Sequence, residues 1–172
     1  MNFKEKIAII EDFPVEGISF KDITPLIGDG ETFKAVINFL KDKIEKLNVD
    51  YIAGPEARGF IFGVPLAYAL GIGFVPIRKA GKLPQEVESV TYDLEYGTDT
   101  LEIHKNAFKE GNRVALIDDL LATGGTISSC AKLIEKAGGE IVSVDFIVEL
   151  EDLKGRDKLK GYDVFSLIKF PK

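Results

Sequence analysis

An apolar run that closes on two adjacent carboxylates and a glycine turn sets the strongest limit on what this chain can fold into. Arg113 to Thr126 reads Arg-Val-Ala-Leu-Ile-Asp-Asp-Leu-Leu-Ala-Thr-Gly-Gly-Thr. Val114 to Ile117 suit a short buried parallel strand. Ile127, Leu133 and Ile134, followed by Gly138 and Gly139, predict a helix closed by a glycine cap. The polar turn then lies between a strand end and a helix start. Open α/β sheets bind ligands beyond the carboxyl ends of their strands, where a helix N-terminus presents unpaired N–H groups and about half a positive charge. Ala122 to Thr126 supply such groups, Gly124 and Gly125 let an anion approach the backbone, and Thr123 and Thr126 add hydroxyls. Asp118 and Asp119 are left to face hydroxyls or a metal. This set of groups suits a sugar phosphate.

Other readings of the same stretch are weaker. A glycine pair after a strand is usually only a turn. The magnesium strand of a P-loop hydrolase would need a Gly-x-x-x-x-Gly-Lys-Ser/Thr loop elsewhere, but Gly81-Lys82 is followed by Leu83. Gly71-Ile72-Gly73 is no dinucleotide fingerprint, because Pro76 takes the third glycine position and the segment leads into a strand. A paired-carboxylate phosphoacceptor site would place its acids on different strands.

Composition narrows the class further. A chain of 172 residues with 45% hydrophobic content suits one α/β domain spanning 1–172. A formal charge of −6 argues against a general nucleic-acid or anionic-membrane surface, so any anion site must be local. The one cysteine, Cys130, reads as a packed thiol in the helix after the turn and fits a reducing, cytoplasmic setting. Ile7 to Ile10 is too short an apolar run for a secretory signal. The uncharged stretch from Gly59 to Ile77 is long enough for a membrane span. Pro65, Gly71-Ile72-Gly73 and Pro76 instead divide it into a buried helix and a strand at Phe74 to Ile77.

Elsewhere helices and strands alternate. Phe33, Val36, Ile37, Leu40, Ile44 and Leu47 recur at helical spacing, and Tyr51 to Ala53 form a strand ending at Gly54-Pro55. Ile141 to Val148 and Val164 to Ile168 complete the strands of a mainly parallel sheet covered on both faces. Between Lys79 and Lys105 two short alternating runs flank Gly97 and predict a hairpin excursion, expected to be flexible. His104, the one histidine, reads as structural.

Asp118 to Thr126 resembles the phosphoribosyl pyrophosphate signature of the type I phosphoribosyltransferases, and its Leu-Leu-Ala-Thr form resembles the adenine phosphoribosyltransferase family within them. Glu56-Ala57-Arg58-Gly59-Phe60, Arg78 to Pro84 and Tyr92 to Asp99 are similar to segments of that family in the same order. The resemblance covers about Phe13 to Leu167. It implies the type I phosphoribosyltransferase fold, with a small hood from about residues 1–30 plus the C-terminal segment and a flexible catalytic loop at about 79–105. It also implies salvage of adenine: adenine and phosphoribosyl pyrophosphate give AMP and pyrophosphate, with magnesium, in a homodimer.

The resemblance assigns roles as well. Asp118, Asp119, Ala122, Thr123, Gly124, Gly125 and Thr126 hold phosphoribosyl pyrophosphate, Asp118 also serving magnesium indirectly through water or the ribose hydroxyls. Glu56, Ala57, Arg58, Lys79 and Lys82 attend the pyrophosphate, and a strained peptide is the hypothesis for the Glu56–Ala57 loop. A cation at a helix start opposes the helix dipole unless an anion joins it, and Arg58 sits there. Ser19, Phe20 and Lys21, in a loop after Gly17, read the purine, with Leu150 as the opposite wall. Arg58 and Glu95 are the catalytic candidates, Glu95 as proton acceptor or stabiliser of the sugar cation, and Tyr96 meets substrate after loop closure. Two alternatives stay open: transfer to hypoxanthine, guanine, xanthine or uracil, and a non-catalytic regulator that binds the same sugar phosphate.

Overall fold

The computed structural model describes residues 1–94 and 96–171, and the chain divides into two compact units, Met1–Leu40 and the remainder from Lys41. In the first unit, β1 (Ala8–Ile10) pairs antiparallel with β2 (Phe20–Asp22). The sequence predicts a loop from Ser19 to Pro25, after Gly17. Pairing with Ala8 to Ile10 makes a ribbon of the middle of that segment, and three-residue strands lie below what side-chain alternation can reveal. The Asp22 carboxylate accepts from both the N–H and the hydroxyl of Thr24 and so turns the chain into α1 (Thr24–Gly28). Asp29 then caps α2 (Gly30–Ile44), accepting from the Thr32 hydroxyl at 3.0 Å and from Lys6 at 2.6 Å. These bonds, the Lys6 contact first, hold the Asp29 carboxyl down at about 2.

From Lys41 the chain forms a seven-stranded sheet in the order β5-β6-β4-β3-β7-β8-β9. β3 (Tyr51–Pro55) is followed by α3 (Arg58–Leu70) and β4 (Gly73–Lys79). The hairpin strands are β5 (Val87–Asp93) and β6 (Thr98–His104). β7 (Arg113–Leu121), α4 (Gly125–Lys136), β8 (Glu140–Leu150) and β9 (Val164–Phe170) follow. β4, β3, β7, β8 and β9 run parallel, and the hairpin adds antiparallel through β6 at the β4 side. This is the expected mixed sheet, mainly parallel and flanked by helices.

The uncharged stretch divides into a helix and a strand as expected; α3 runs through Pro65, because buried Phe62 on one side and Leu66 and Ala67 on the other hold both halves of the helix in place. The helix stops at Gly71, whose φ of 68° suits a residue without a Cβ. The strand expected to stop at Ile117 continues to Leu121, since β8 keeps pairing as far as Leu121↔Glu149. Asp118 and Asp119 are therefore strand residues, and the turn shortens to Ala122–Gly124.

The core follows from the parallel strands. Leu116 is fully buried among the residues that pack with Ile127, Cys130, Ala131, Leu133 and Ile134 of α4. Ile117 lies toward α3, its Cγ2 3.1 Å from where a Cβ on Gly63 would stand. Burial pushes the Cys130 thiol well up, with Asp118 as the second cause, so Cys130 is a packed thiol. Leu116→Ala should lower the unfolding free energy by about 2–5 kcal/mol, read as a smaller urea midpoint at unchanged slope.

Candidate active site

The chain leaves β3 through α3 toward β4 on one side, and leaves β7 through α4 toward β8 on the other. The strand order therefore reverses between β3 and β7, and right-handed crossovers place the two helices on opposite faces. A crevice opens at such a switch point, beyond the strand carboxyl ends. Here it is a cavity of about 260 Å³ lined by Pro55 to Arg58 and by Asp118 to Ile127.

Close backbone packing builds one wall. A Cβ on Gly59 would stand 3.0 Å from Pro55 Cδ and 3.2 Å from Asp118 Oδ1, so the first turn of α3 lies against the end of β7. That approach brings Arg58 Nε to 2.9 Å from Asp119 Oδ2. The anion that the helix start needed is thus supplied internally by a carboxylate only 5% exposed. The neighbouring Asp118 carboxyl is pushed well above the usual carboxylate range, first by burial and then by the charge of Asp119. The Glu56–Ala57 peptide is cis. The Glu56 side chain turns to β4, where Oε1 accepts the Lys79 N–H at 2.7 Å and Arg78 Nε at 3.3 Å. Glu56 therefore anchors the loop to the neighbouring strand, and Ala57 and Arg58 stand beside it on the lining.

The opposite wall is an open helix start. Gly124 takes φ 86° as the N-cap of α4 and has no side chain to cap the helix, whose first internal bond runs from the Ser128 N–H to the Gly124 carbonyl. The N–H groups of the first turn point at the cavity end without an intrahelical acceptor. Thr126 is joined to the hairpin, its hydroxyl 3.4 Å from that of Tyr92.

The structure thus brings Glu56, Ala57, Arg58, Asp118, Asp119, Ala122, Thr123, Gly124, Gly125 and Thr126 around one cavity. Lys79 and Lys82 stand outside the described lining; Lys79 Nζ is 3.3 Å from Asp99 Oδ2, and the Lys82 N–H closes a turn onto the Lys79 carbonyl. Tyr96 is exposed in the hairpin turn, where the Leu94 N–H donates to the Gly97 carbonyl. Glu95 falls outside the described residues. Leu150 is the last residue of β8. In the first unit, the Phe20 ring meets Phe13 edge-on at 5.2 Å, and Ser19 Oγ donates to Glu11 while accepting from Lys21 Nζ.

Sequence reasoning missed a turn at Gly155–Leu159 that lies directly behind the Ala122–Gly125 turn. A Cβ on Gly124 would stand 2.5 Å from the Gly155 carbonyl oxygen, and the Lys158 amine lies 3.7 Å from the corresponding point on Gly125. A glycine amid charged residues signals a turn, but nothing in the sequence says which loop it touches.

No group of three or more His, Cys, Asp or Glu side chains among the described residues could hold a metal alone. No helix among them is long and apolar enough to cross a membrane.

A family model for the phosphoribosyl transferase domain matches residues 27–172. The chain is 66% identical over 170 residues to the adenine phosphoribosyltransferase of Clostridium botulinum, covering 99% of each. The crystal structure of adenine phosphoribosyltransferase from Thermoanaerobacter pseudethanolicus aligns with a TM-score of 0.93 at 58% identity, over 98% of both chains. The Saccharomyces cerevisiae enzyme, solved with D-2,5-dideoxy-2,5-imino-altritol 1,6-bisphosphate and adenine, aligns with a TM-score of 0.92 at 43% identity, over 96% of both chains. With the type I phosphoribosyltransferase fold and kinship along nearly its whole length, this chain belongs to the adenine phosphoribosyltransferase family.

Proposed function

We propose that this chain transfers the 5-phosphoribosyl group of phosphoribosyl pyrophosphate to adenine, giving AMP and pyrophosphate in purine salvage. The observation that carries the reading is the single cavity in which an uncapped helix start, two strand-end carboxylates and one guanidinium converge. Those three kinds of group match the three parts of the substrate: phosphate, vicinal hydroxyls and diphosphate.

In the reaction a ring nitrogen of adenine forms a bond to ribose C1 as the bond from C1 to the pyrophosphate oxygen breaks. The electron pair leaves with pyrophosphate, and the nitrogen gives up its proton. The first-turn N–H groups of α4, with Ala122 to Thr126, bind the 5′-phosphate. Arg58 and the backbone at Ala57 bind the diphosphate oxygens, where charge accumulates as the bond breaks. Asp118 and Asp119 hold the ribose hydroxyls; a carboxyl with a raised pKa can donate as well as accept there. Lys79 and Lys82 supply further positive charge, and the 79–105 excursion with Tyr96 closes over the site and excludes water. Glu95 accepts the proton or stabilises the sugar cation. Ser19, Phe20 and Lys21, and separately Leu150, keep the adenine contacts that the family resemblance gives them.

Two carboxylates without a third ligand fit a magnesium ion that arrives on the diphosphate, with Asp118 as an indirect anchor. Such an ion supplies charge neutralisation to the diphosphate when bound. The working form we assign is a cytoplasmic homodimer. Val64 and Tyr68 stand one helical turn apart on α3 with Tyr68 89% exposed, an apolar face suited to a second copy of this chain.

Mixed with magnesium, phosphoribosyl pyrophosphate and a panel of bases, the protein should form AMP and pyrophosphate from adenine and stop when a chelator is added. Turnover of guanine without adenine, read by chromatography, would overturn the assignment. Asp118→Asn should lower kcat/KM about 100-fold. Its effect on stability has the opposite sign. A folded-state pKa raised above the unfolded value makes ionised Asp118 destabilising, so stability present below the unfolded pKa of 3.8 is lost as pH rises through the folded value. Melting curves should show Asp118→Asn more stable than the natural chain at pH 8, with the gap closing as pH falls toward 4. Tyr68→Glu should shift sedimentation from dimer to monomer.

A further inference from the structure

Beyond Leu150 the chain folds back under the phosphate loop. A 3-10 turn at Glu151–Leu153 ends at Lys154, a non-glycine residue with φ 52°, and a second turn, Gly155–Leu159, follows at once. Gly155 is buried. A Cβ there would stand 2.4 Å from the Ala122 carbonyl oxygen and 2.7 Å from Leu121 Cδ1, while its φ lies outside the left-handed region. Lack of space, not backbone conformation, therefore demands glycine at 155. Two stretches of backbone meet face to face, one of them the loop proposed to bind the 5′-phosphate.

The turn is itself held firmly. Arg156 grips Glu149 with two bonds, Nε to Oε1 at 2.7 Å and Nη2 to Oε2 at 2.8 Å. Its Nη1 donates to the Val164 carbonyl at 3.0 Å. Glu149 is 4% exposed, and the Arg156 guanidinium beside it holds its carboxyl below the usual range. One guanidinium thus ties the turn to the ends of both β8 and β9, and buried Leu159 pins its far end. The phosphate loop has little side chain of its own to pack at Ala122, Thr123, Gly124 and Gly125, and the N-cap residue Gly124 has none with which to cap α4.

We propose that the Gly155–Leu159 turn, clamped by the Glu149–Arg156 pair, sets the shape of the phosphate loop. Gly155 and Arg156 are positioning residues: they act through Ala122 and Gly124 and touch no substrate. A loop fixed before the ligand arrives loses less conformational freedom on binding, so the clamp strengthens binding of the phosphate end in particular. The inference rests on the proposed assignment of that phosphate to the start of α4.

The test compares two ligands that report on different walls of the cavity. By calorimetry, Gly155→Ala should weaken ribose 5-phosphate about tenfold or more, while pyrophosphate changes less than about twofold. Turnover should show the matching split, with KM for phosphoribosyl pyrophosphate rising more than kcat falls. Arg156→Lys keeps the charge beside Glu149 but loses the two-point grip, and should give the same pattern at about threefold. It carries the test should Gly155→Ala fail to accumulate as folded protein. Equal weakening of both ligands, or unchanged ribose 5-phosphate binding in a folded variant, overturns the proposal. Failure of the unaltered chain to bind ribose 5-phosphate would instead remove the phosphate-site reading beneath it, a different and separable result.

Discussion

Parallel pairing of β3 with β7 is the constraint on which the site depends. The two strands lie in register from Tyr51↔Val114 to Ala53↔Leu116, and their chains then depart in opposite directions across the sheet. Only at that divergence do two loops face each other with no crossover between them. The pairing tolerates no bulk at its closest point: a Cβ on Gly54 would stand 2.6 Å from the Ile117 carbonyl oxygen. From this contact follow the approach of α3 at Gly59, the reach of Arg58 to Asp119 and the position of Asp118.

Much of this was legible in the chain. The apolar runs at Tyr51 to Ala53 and Val114 to Ile117 each mark a real strand, because a strand buried on both faces is mostly apolar. Ile141 to Val148 marks a third despite Ser143 and Asp145, since the buried Asp145 carboxylate accepts from the Ser143 hydroxyl and from Lys43. Ala122 to Gly125 read as a turn because their residues suit little else. Strand ends were less legible. Asp118 and Asp119 look like a boundary by composition, yet the ladder to β8 continues past them, and pairing is a property of the partner strand. The short ribbon of β1 and β2 escaped for a related reason, since three residues carry no period.

The site divides along the same line. Residues around the cavity are contiguous in two short segments, so motif reading reached them together. The Gly155 contact lies some thirty residues downstream and is a matter of backbone touching backbone, which leaves only an isolated glycine as its trace. Glu56 was assigned to pyrophosphate by its place in a motif. Where its carboxylate goes was not legible: it accepts the Lys79 amide, a contact set by the β3–β4 register.

The ion pair between Arg58 and Asp119 gives the resting protein a built-in understudy for its ligand. On the roles proposed, an incoming diphosphate does not land on a bare cation; it takes over a guanidinium already engaged. Each such handover releases Asp119, and a released carboxylate is what the ribose hydroxyls require. On those proposed roles, one shared side chain would gear capture of the leaving group to grip on the sugar, and a molecule carrying only half of the substrate would engage only half of the mechanism.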